Sequence, residues 1–154
     1  MARGQSDRGG RPLPSRVGGP KPARAARETP NVVRRYDVPY LAGSSNDDRT
    51  VYIDKRVPHR LDINGKVIDP AEPLAVHERH EHRLMRRGMD YKAAHKEATK
   101  AEKAHIRGMG VNWAEYEHVM DGYINETEHE SVKDLPPDLY RKPYNACRHK
   151  RGKQ

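Results

Sequence analysis

Residues 69–88 have the sequence DPAEPLAVHERHEHRLMRRG, and this pattern predicts a helix. Proline is tolerated in the first turn of a helix but not later, whereas glycine is favoured directly after the last turn. We therefore expect a regular helix that starts near Pro73, runs to Arg87 and stops at Gly88.

This helix has one apolar side, and two ionisable residues fall on it. At about 100° per residue, His77 and Glu81 lie on the apolar side, which is formed by Leu74, Leu84 and Met85. Other polar residues point away from that side, namely Arg79, His82, Arg83 and Arg86. A buried carboxylate beside a buried imidazole is costly unless another group pairs with them. A metal ion is the partner that best suits a His and a Glu at positions i and i+4.

A second helix repeats this pattern. Asp90 is a favoured N-cap residue and predicts a helix over about 91–107. Its apolar face consists of small alanines and also carries His95 and Glu102. Because three residues join the two helices, His95 or Glu102 should face the pair on the first helix. Three or four nitrogen and oxygen ligands on facing helices are what a metal site in a helical bundle needs.

Zinc suits this ligand set best, since it accepts imidazole nitrogen and carboxylate oxygen and tolerates three protein ligands plus water. The candidate ligands are His77, Glu81, His95 and Glu102, with either His95 or Glu102 as the third ligand. Mn²⁺ and Fe²⁺ are alternative ions, because carboxylate-rich sets also suit them. Glu78 lies on the flank of the same face, where it can accept the proton of a bound water. The pattern thus predicts a zinc-dependent hydrolase.

The run His77-Glu78-Arg79-His80-Glu81 resembles the His-Glu-x-x-His helix motif of zincin metallopeptidases, with Glu81 in place of the second histidine. The resemblance implies that His77 and Glu81 bind zinc and that Glu78 is the general base. It also implies a third ligand from the following helix, where His95 and Glu102 stand. An upstream edge strand, residues 51–57, would hold an extended peptide or protein substrate.

A second interpretation needs no catalysis. His77 can pair directly with Glu81 at i and i+4, and Glu102 can pair with His77, or with Arg79 or Arg83 if the helical phase is shifted by one residue. The cluster would then be a buried polar network or a structural metal site. The chain would be a non-enzymatic accessory protein, encoded by a phage or mobile element, that binds nucleic acid or an acidic partner through basic tails. We find no helix-turn-helix, zinc-finger or stacking motif, so such nucleic-acid contact would be salt-sensitive and independent of sequence.

The residues before the first helix predict β structure. Residues 50–57 alternate in polarity, which places Asp54 on the outer, solvated face of a strand. Asn64-Gly65 between two short apolar runs is a strong hairpin signal, and it sets Leu61 opposite Ile68. A small antiparallel sheet or hairpin should result.

A third helix is expected from Trp113 to about Asn125, capped by Asn112. With loops this short, consecutive helices should pack antiparallel. The predicted fold class is therefore α+β: a small antiparallel sheet or hairpin followed by a three-helix antiparallel bundle. A single zincin-like domain would span residues 36–134.

The charge of the chain is concentrated at its ends. The net charge is +8 over 154 residues. The first thirty residues carry seven Lys or Arg against two acids, and the last fourteen carry six against none. The residues between carry a net charge of −3. We expect disordered basic tails over 1–35 and 135–154, able to contact nucleic acid non-specifically.

Cysteine content and hydropathy give no sign of secretion or membrane insertion. Cys147 is the single cysteine, so no internal disulfide framework is possible, and we assign this residue no role. No stretch approaches the roughly 18 apolar residues of a membrane span. The basic N-terminus lacks the apolar region of a signal peptide. A cytoplasmic protein without membrane contact is the expectation, and the oligomeric state is left open.

Overall fold

The computed structural model describes residues 31–129 and 133–145, and it shows an α+β fold, as predicted. The strands are β1 Asn31–Val33, β2 Ala42–Ser44, β3 Thr50–Ile53, β4 Leu61–Ile63 and β5 Lys66–Ile68. The helices are α1 Ala71–Arg86, α2 Tyr91–Gly108 and α3 Trp113–His129. Within the described residues, none of the helices combines the length and the apolar character needed to cross a membrane.

β3 is the central strand of a three-stranded sheet with the order β1-β3-β2. β1 runs parallel to β3 and pairs Val32 with Val51, whereas β2 runs antiparallel and pairs Gly43 with Tyr52. Two expectations are wrong here. The strand predicted as the substrate-holding edge is β3, which is paired with a neighbouring strand on each side and so is not an edge strand. Residues 31–33, expected in the N-terminal tail, form β1. The rest of that predicted tail, residues 1–30, lies outside the described residues.

Asp54, expected on a solvated face, is fully buried directly after β3. Its Oδ2 accepts a hydrogen bond from the backbone N–H of Val38 at 2.8 Å, and its Oδ1 accepts from the Nε–H of Arg56 at 2.8 Å. Burial would raise the pKa of this carboxyl, but the hydrogen bonds from Arg56 and Val38 hold it below its ordinary value. The exposure predicted from strand alternation is wrong for Asp54 because this residue belongs to the turn that follows the strand.

The predicted hairpin is confirmed in position and register. β4 and β5 form a separate two-stranded sheet in which Leu61 lies opposite Ile68. Asn64 and Gly65 have φ angles of 50° and 83°, the left-handed pair that a two-residue type I′ turn requires. Asp62 reinforces the turn by accepting a hydrogen bond from the Gly65 N–H at 2.7 Å.

The helix boundaries follow the predicted caps. α1 begins at Ala71, two residues earlier than expected, and Gly88 adopts a φ of 97° just beyond its end. Asp90 caps α2 by accepting a hydrogen bond from the Ala93 N–H at 2.8 Å. Asn112 caps α3 in the same way, which confirms both predicted N-caps.

Residues 133–145, which we call the C-terminal strap, pack against the sheet. The Tyr140 N–H donates to the Ser44 carbonyl at 2.8 Å, and Leu139 is 3 % exposed. Residues 135–145 were predicted as part of a disordered tail, so this boundary is wrong within the described residues. Its proline-rich start suggested the end of the domain, but apolar residues further along the chain anchor the strap. Residues 146–154, including Cys147, lie outside the described residues.

The core lies between the sheet, the hairpin and the inner faces of the helices. α1 packs on α2 and on β2 and β3, whereas α3 packs on α2 and on the short 3-10 turn Pro39–Leu41. The fully buried apolar side chains include Leu41, Val51, Ile53 and Ile106. In this arrangement, one face of β2 and the inner sides of all three helices surround a common cavity.

Candidate metal centre

His77 and Glu81 both point into the protein, as the helical phase of α1 predicted. Their residues are 7 % and 4 % exposed. The Nε2 atom of His77 lies 3.2 Å from Oε2 of Glu81 across one helical turn. The predicted burial of these two residues is therefore confirmed.

His95 on α2 completes a cluster of three donor atoms. Its Nδ1 lies 2.8 Å from Oε2 of Glu81 and 3.1 Å from Nε2 of His77. Among the described residues, His77, Glu81 and His95 are the three whose donor atoms converge closely enough to hold a metal ion. The His95 side chain is 48 % exposed, so the cluster meets solvent on this side.

With Glu81 ionised, as its lowered pKa indicates, protons cannot satisfy all three contacts of this cluster at once. An ionised carboxylate only accepts, so both ring nitrogens need a proton to bond with Oε2 of Glu81. The nitrogens of His77 and His95 are then two donors 3.1 Å apart, which is unfavourable. A single cation bound by the three atoms would resolve this conflict, because it would replace the protons on the two ring nitrogens.

The spacing of the donors is close to that of a tetrahedral zinc shell. Zinc binds imidazole nitrogen and carboxylate oxygen at about 2.0–2.1 Å, so adjacent ligand atoms lie about 3.4 Å apart. The three donors are separated by 2.8, 3.1 and 3.2 Å. Small outward movements of the side chains would therefore accommodate the ion, and a fourth position would remain for water.

Glu102 lies at the other ring nitrogen of His77. Its Oε2 is 2.9 Å from Nδ1 of His77, and its Oε1 accepts a hydrogen bond from the Tyr116 hydroxyl at 2.8 Å. Because Nδ1 and Nε2 point to opposite sides of the ring, Glu102 does not join the three converging donors. A carboxylate in this place fixes the orientation of a metal-binding histidine. Of the two candidates for the third ligand, His95 is therefore the one whose donor atom converges with those of His77 and Glu81, whereas Glu102 bonds the other side of the His77 ring.

The charges around His77 are strongly coupled. Burial would lower the pKa of this imidazole, but its hydrogen bonds to Glu102 and Glu81 raise it to about 10. Burial would raise the pKa of Glu81, and its bonds to His77 and His95 lower it instead. Burial beside the Glu102 charge raises the pKa of the Tyr116 hydroxyl, so Tyr116 remains a hydrogen-bond donor at all ordinary pH values.

Glu78 is half-buried beside the cluster and lines the same cavity. Burial and the charge of Glu81 raise the pKa of its carboxyl to about 8. A cation at the three donors would lower this pKa again, because positive charge favours the ionised carboxylate. Glu78 is thus a carboxyl group whose protonation state would change if a cation bound at the three donors.

The cluster forms part of the wall of a cavity of about 300 Å³. β2 contributes Ala42, Gly43 and Ser44, and the strap contributes Tyr140, Pro143 and Tyr144. The resemblance to zincins suggested the strand over residues 51–57 at this position. β2 lies there instead, with the Ser44 hydroxyl 3.5 Å from the Glu78 carbonyl of α1.

His82 also lines the cavity, although its helical phase predicted an outward position. The residue is 2 % exposed, and its ring stacks on Tyr140 with centroids 4.3 Å apart. The strap covers this side of α1, and nothing in the sequence around His82 reveals a contact with a residue so distant along the chain. His80, by contrast, is exposed.

The structure therefore contains a His/Glu/His cluster that could hold a metal ion, and it leaves the identity of the ion open. Comparison with known proteins finds no matching family model, no matching curated protein and no matching solved structure.

Proposed function

We propose that this chain is a metal-dependent hydrolase that cleaves peptide bonds in the cavity beside α1. One observation carries the proposal: donor atoms of His77, Glu81 and His95 converge within hydrogen-bond distance at a cavity wall. Two imidazoles and one carboxylate are a donor set of catalytic zinc sites in which the fourth position is open. Zn²⁺ is the proposed ion, with Mn²⁺ and Fe²⁺ as alternatives.

Each neighbouring residue has a distinct role in this proposal. His77, Glu81 and His95 would hold the zinc ion, which would lower the pKa of a water molecule and polarise a carbonyl oxygen. Glu78 accepts the proton of the attacking water and transfers it to the leaving amine. Glu102 holds His77 in the tautomer that directs Nε2 to the ion, and Tyr116 fixes Glu102 in turn.

A specific observation favours the non-enzymatic alternative as well. With its pKa raised to about 10, His77 can remain protonated between Glu81 and Glu102 and pair with both. The cluster would then be a buried ionic network that stabilises the contact of α1 with α2. The basic tails would carry the function by binding nucleic acid or an acidic partner.

A comparison of three variants separates these functions. Under the hydrolase proposal, His77→Ala loses both metal and peptide cleavage, whereas Glu78→Gln keeps the metal and loses cleavage by at least about 100-fold. His80→Ala, an exposed change on the same helix, should alter neither property. Purified protein that contains no stoichiometric metal and binds none on addition of Zn²⁺ would overturn the proposal.

A further inference from the structure

The cavity beside the His77, Glu81 and His95 donors is lined by acidic residues, although the chain as a whole is basic. Among the described residues that line it, five are acidic and none is Lys or Arg. The acidic residues are Glu78, Glu81, Glu102, Glu117 and Asp121. By contrast, 30 of the 154 residues of the chain are Lys or Arg. A cavity of this charge attracts cationic ligands and repels anionic ones.

Glu117 and Asp121 line the same cavity but are not among the three converging donors. They are one turn apart on α3 and both are exposed, which places them at the mouth of the cavity. Two carboxylates at i and i+4 repel each other and cost a helix some stability. Neither carboxylate forms an ion pair with any residue of the described ranges. A cation from outside the described structure would relieve this repulsion.

Trp113 extends the same row by one turn towards the start of α3 and also lines the cavity. Its side chain is half-buried and packs against Tyr116 with ring centroids 5.5 Å apart. An ammonium or guanidinium group over an indole face is attracted by its π electrons. The row Trp113, Glu117 and Asp121 therefore combines the two kinds of group that bind a Lys or Arg side chain.

His82 provides independent evidence that the cavity takes a polar ligand. Both of its ring nitrogens are buried and lack a hydrogen-bond partner among the described residues. Oδ1 of Asp48 lies 3.4 Å from Nδ1, a distance that pairs the two only when His82 is protonated, and this contact does not meet hydrogen-bond geometry. Buried polar groups without partners are rare and costly in folded proteins. A ligand in the cavity that offers a backbone amide or carbonyl would satisfy this ring.

We propose that the cavity binds a peptide segment bearing a Lys or Arg side chain, held by Glu117 and Asp121 beside Trp113, with His82 bonded to the peptide backbone. This inference rests on the proposed function, because it names the substrate class of the same site. The basic segment comes either from another protein or from a tail of this chain, since residues 1–30 carry seven Lys or Arg.

Binding of short peptides tests the inference without requiring turnover. The probes are blocked pentapeptides of alanine with Lys, Arg, norleucine or Glu at the centre. They are titrated calorimetrically into the zinc-loaded Glu78→Gln variant of the full chain, which does not consume them. We expect Lys and Arg peptides to bind at least 10-fold more tightly than the norleucine peptide, with the Glu peptide weakest. The preference should fall with added salt.

Substitutions test which residues cause the preference for the Lys peptide over the norleucine peptide. The pair Glu117→Gln and Asp121→Asn should reduce the preference for Lys over norleucine to within about 3-fold. Glu115→Gln, an exposed acid on the same helix outside the cavity, should leave it unchanged. His82→Leu should reduce the affinities for the Lys and norleucine peptides by the same factor, whereas His80→Gln should change neither affinity. Thermal melts and metal content of each variant distinguish a changed site from a misfolded chain.

The outcomes separate this inference from the hydrolase proposal. Equal binding of the Lys and Glu peptides, or a preference that survives the double substitution, overturns the inference. Selective binding without cleavage by the wild-type protein contradicts the hydrolase proposal and leaves the inference standing. Intact-mass spectrometry of the zinc-loaded wild type identifies the source: trimmed termini indicate the chain's own tail, whereas cleavage of the added Lys peptide alone indicates a separate substrate. Either result supports a basic substrate.

Discussion

Glu102 and His77 are joined across two helices by a 2.9 Å hydrogen bond between Oε2 and Nδ1. Since a carboxylate can only accept, Nδ1 of His77 carries a proton and Nε2 faces Glu81 and His95. The contact therefore determines which nitrogen is presented to the cluster. Under the proposed function, His77 is thereby an oriented metal ligand and Glu102 is the residue that supports it.

Removing this support should weaken metal binding without abolishing it. Glu102→Gln leaves the three donors intact but loses the charge that favours the correct His77 tautomer. We expect zinc affinity to fall by about 10- to 100-fold, the usual effect of altering a residue that supports a metal ligand. Tyr116→Phe should cause a smaller loss in the same direction. Competition with a chelating dye measures both affinities, and Glu97→Gln, exposed on α2, is the control. A loss as complete as that of His77→Ala would instead identify Glu102 as a ligand.

Zinc binding should release protons. With its pKa raised to about 10, His77 carries protons on both nitrogens at pH 7.5 in the absence of a cation. An ion can bind Nε2 only after that proton leaves. We expect at least about one proton released per zinc ion, because coordination requires the neutral imidazole. Calorimetry in buffers of different ionisation enthalpy measures this number. Zinc binding without proton release would contradict coordination by a His77 that is protonated in the absence of metal, and the metal content of His77→Ala then decides whether His77 is a ligand.

The buried Asp54 should make stability depend on acid. Its pKa is lowered in the folded protein, so its contribution is present above the unfolded value of about 3.9 and is lost as the pH falls through the folded value. Asp54→Asn removes the charged hydrogen bonds to Arg56 and should cost about 1.5–3 kcal/mol at pH 7. The difference from wild type should shrink below pH 4. Urea titrations at pH 7 and pH 3 provide the measurement, and a constant difference would argue against an ionised Asp54.

Gly43 gives the C-terminal strap its close approach to β2. A Cβ atom there would collide with the Tyr144 hydroxyl and lie 2.7 Å from a methyl carbon of Leu139. Gly43→Ala should therefore destabilise the fold by about 1–3 kcal/mol, the usual effect of overpacking. Gly122→Ala is the matched control, because a Cβ there meets open space within a helix and should be neutral or stabilising. Equal melting temperatures for Gly43→Ala and wild type would show that the strap is loosely held.

The parts of the site that depend on local pattern were predictable. The periodicity of α1 and α2 correctly placed His77, Glu81 and Glu102 on buried faces, and it put His95 on the side of α2 that meets α1, because each helix has clear caps and one apolar side. The same reasoning could not show that Glu102 bonds the opposite ring nitrogen of His77. Helical phase indicates a direction, whereas this role depends on the distance between two helices.

The predictions that were wrong concern residues whose surroundings the local sequence pattern does not describe. His82 is buried because Tyr140 of the strap stacks on it, and no pattern near either residue records that contact. Asp54 seemed solvated because alternation was extended one residue past the strand. β2 is too short to show a period, so the true neighbour of α1 in the sheet could not be recognised from the sequence.

The metal stoichiometry of the purified full chain tests the central claim most directly. Native mass spectrometry after zinc titration and buffer exchange should show one ion per chain for the wild type. It should show none for His77→Ala, Glu81→Ala and His95→Ala, while His80→Ala retains one. A wild-type chain that binds no zinc, or a His77→Ala variant that still holds one ion, would contradict the account.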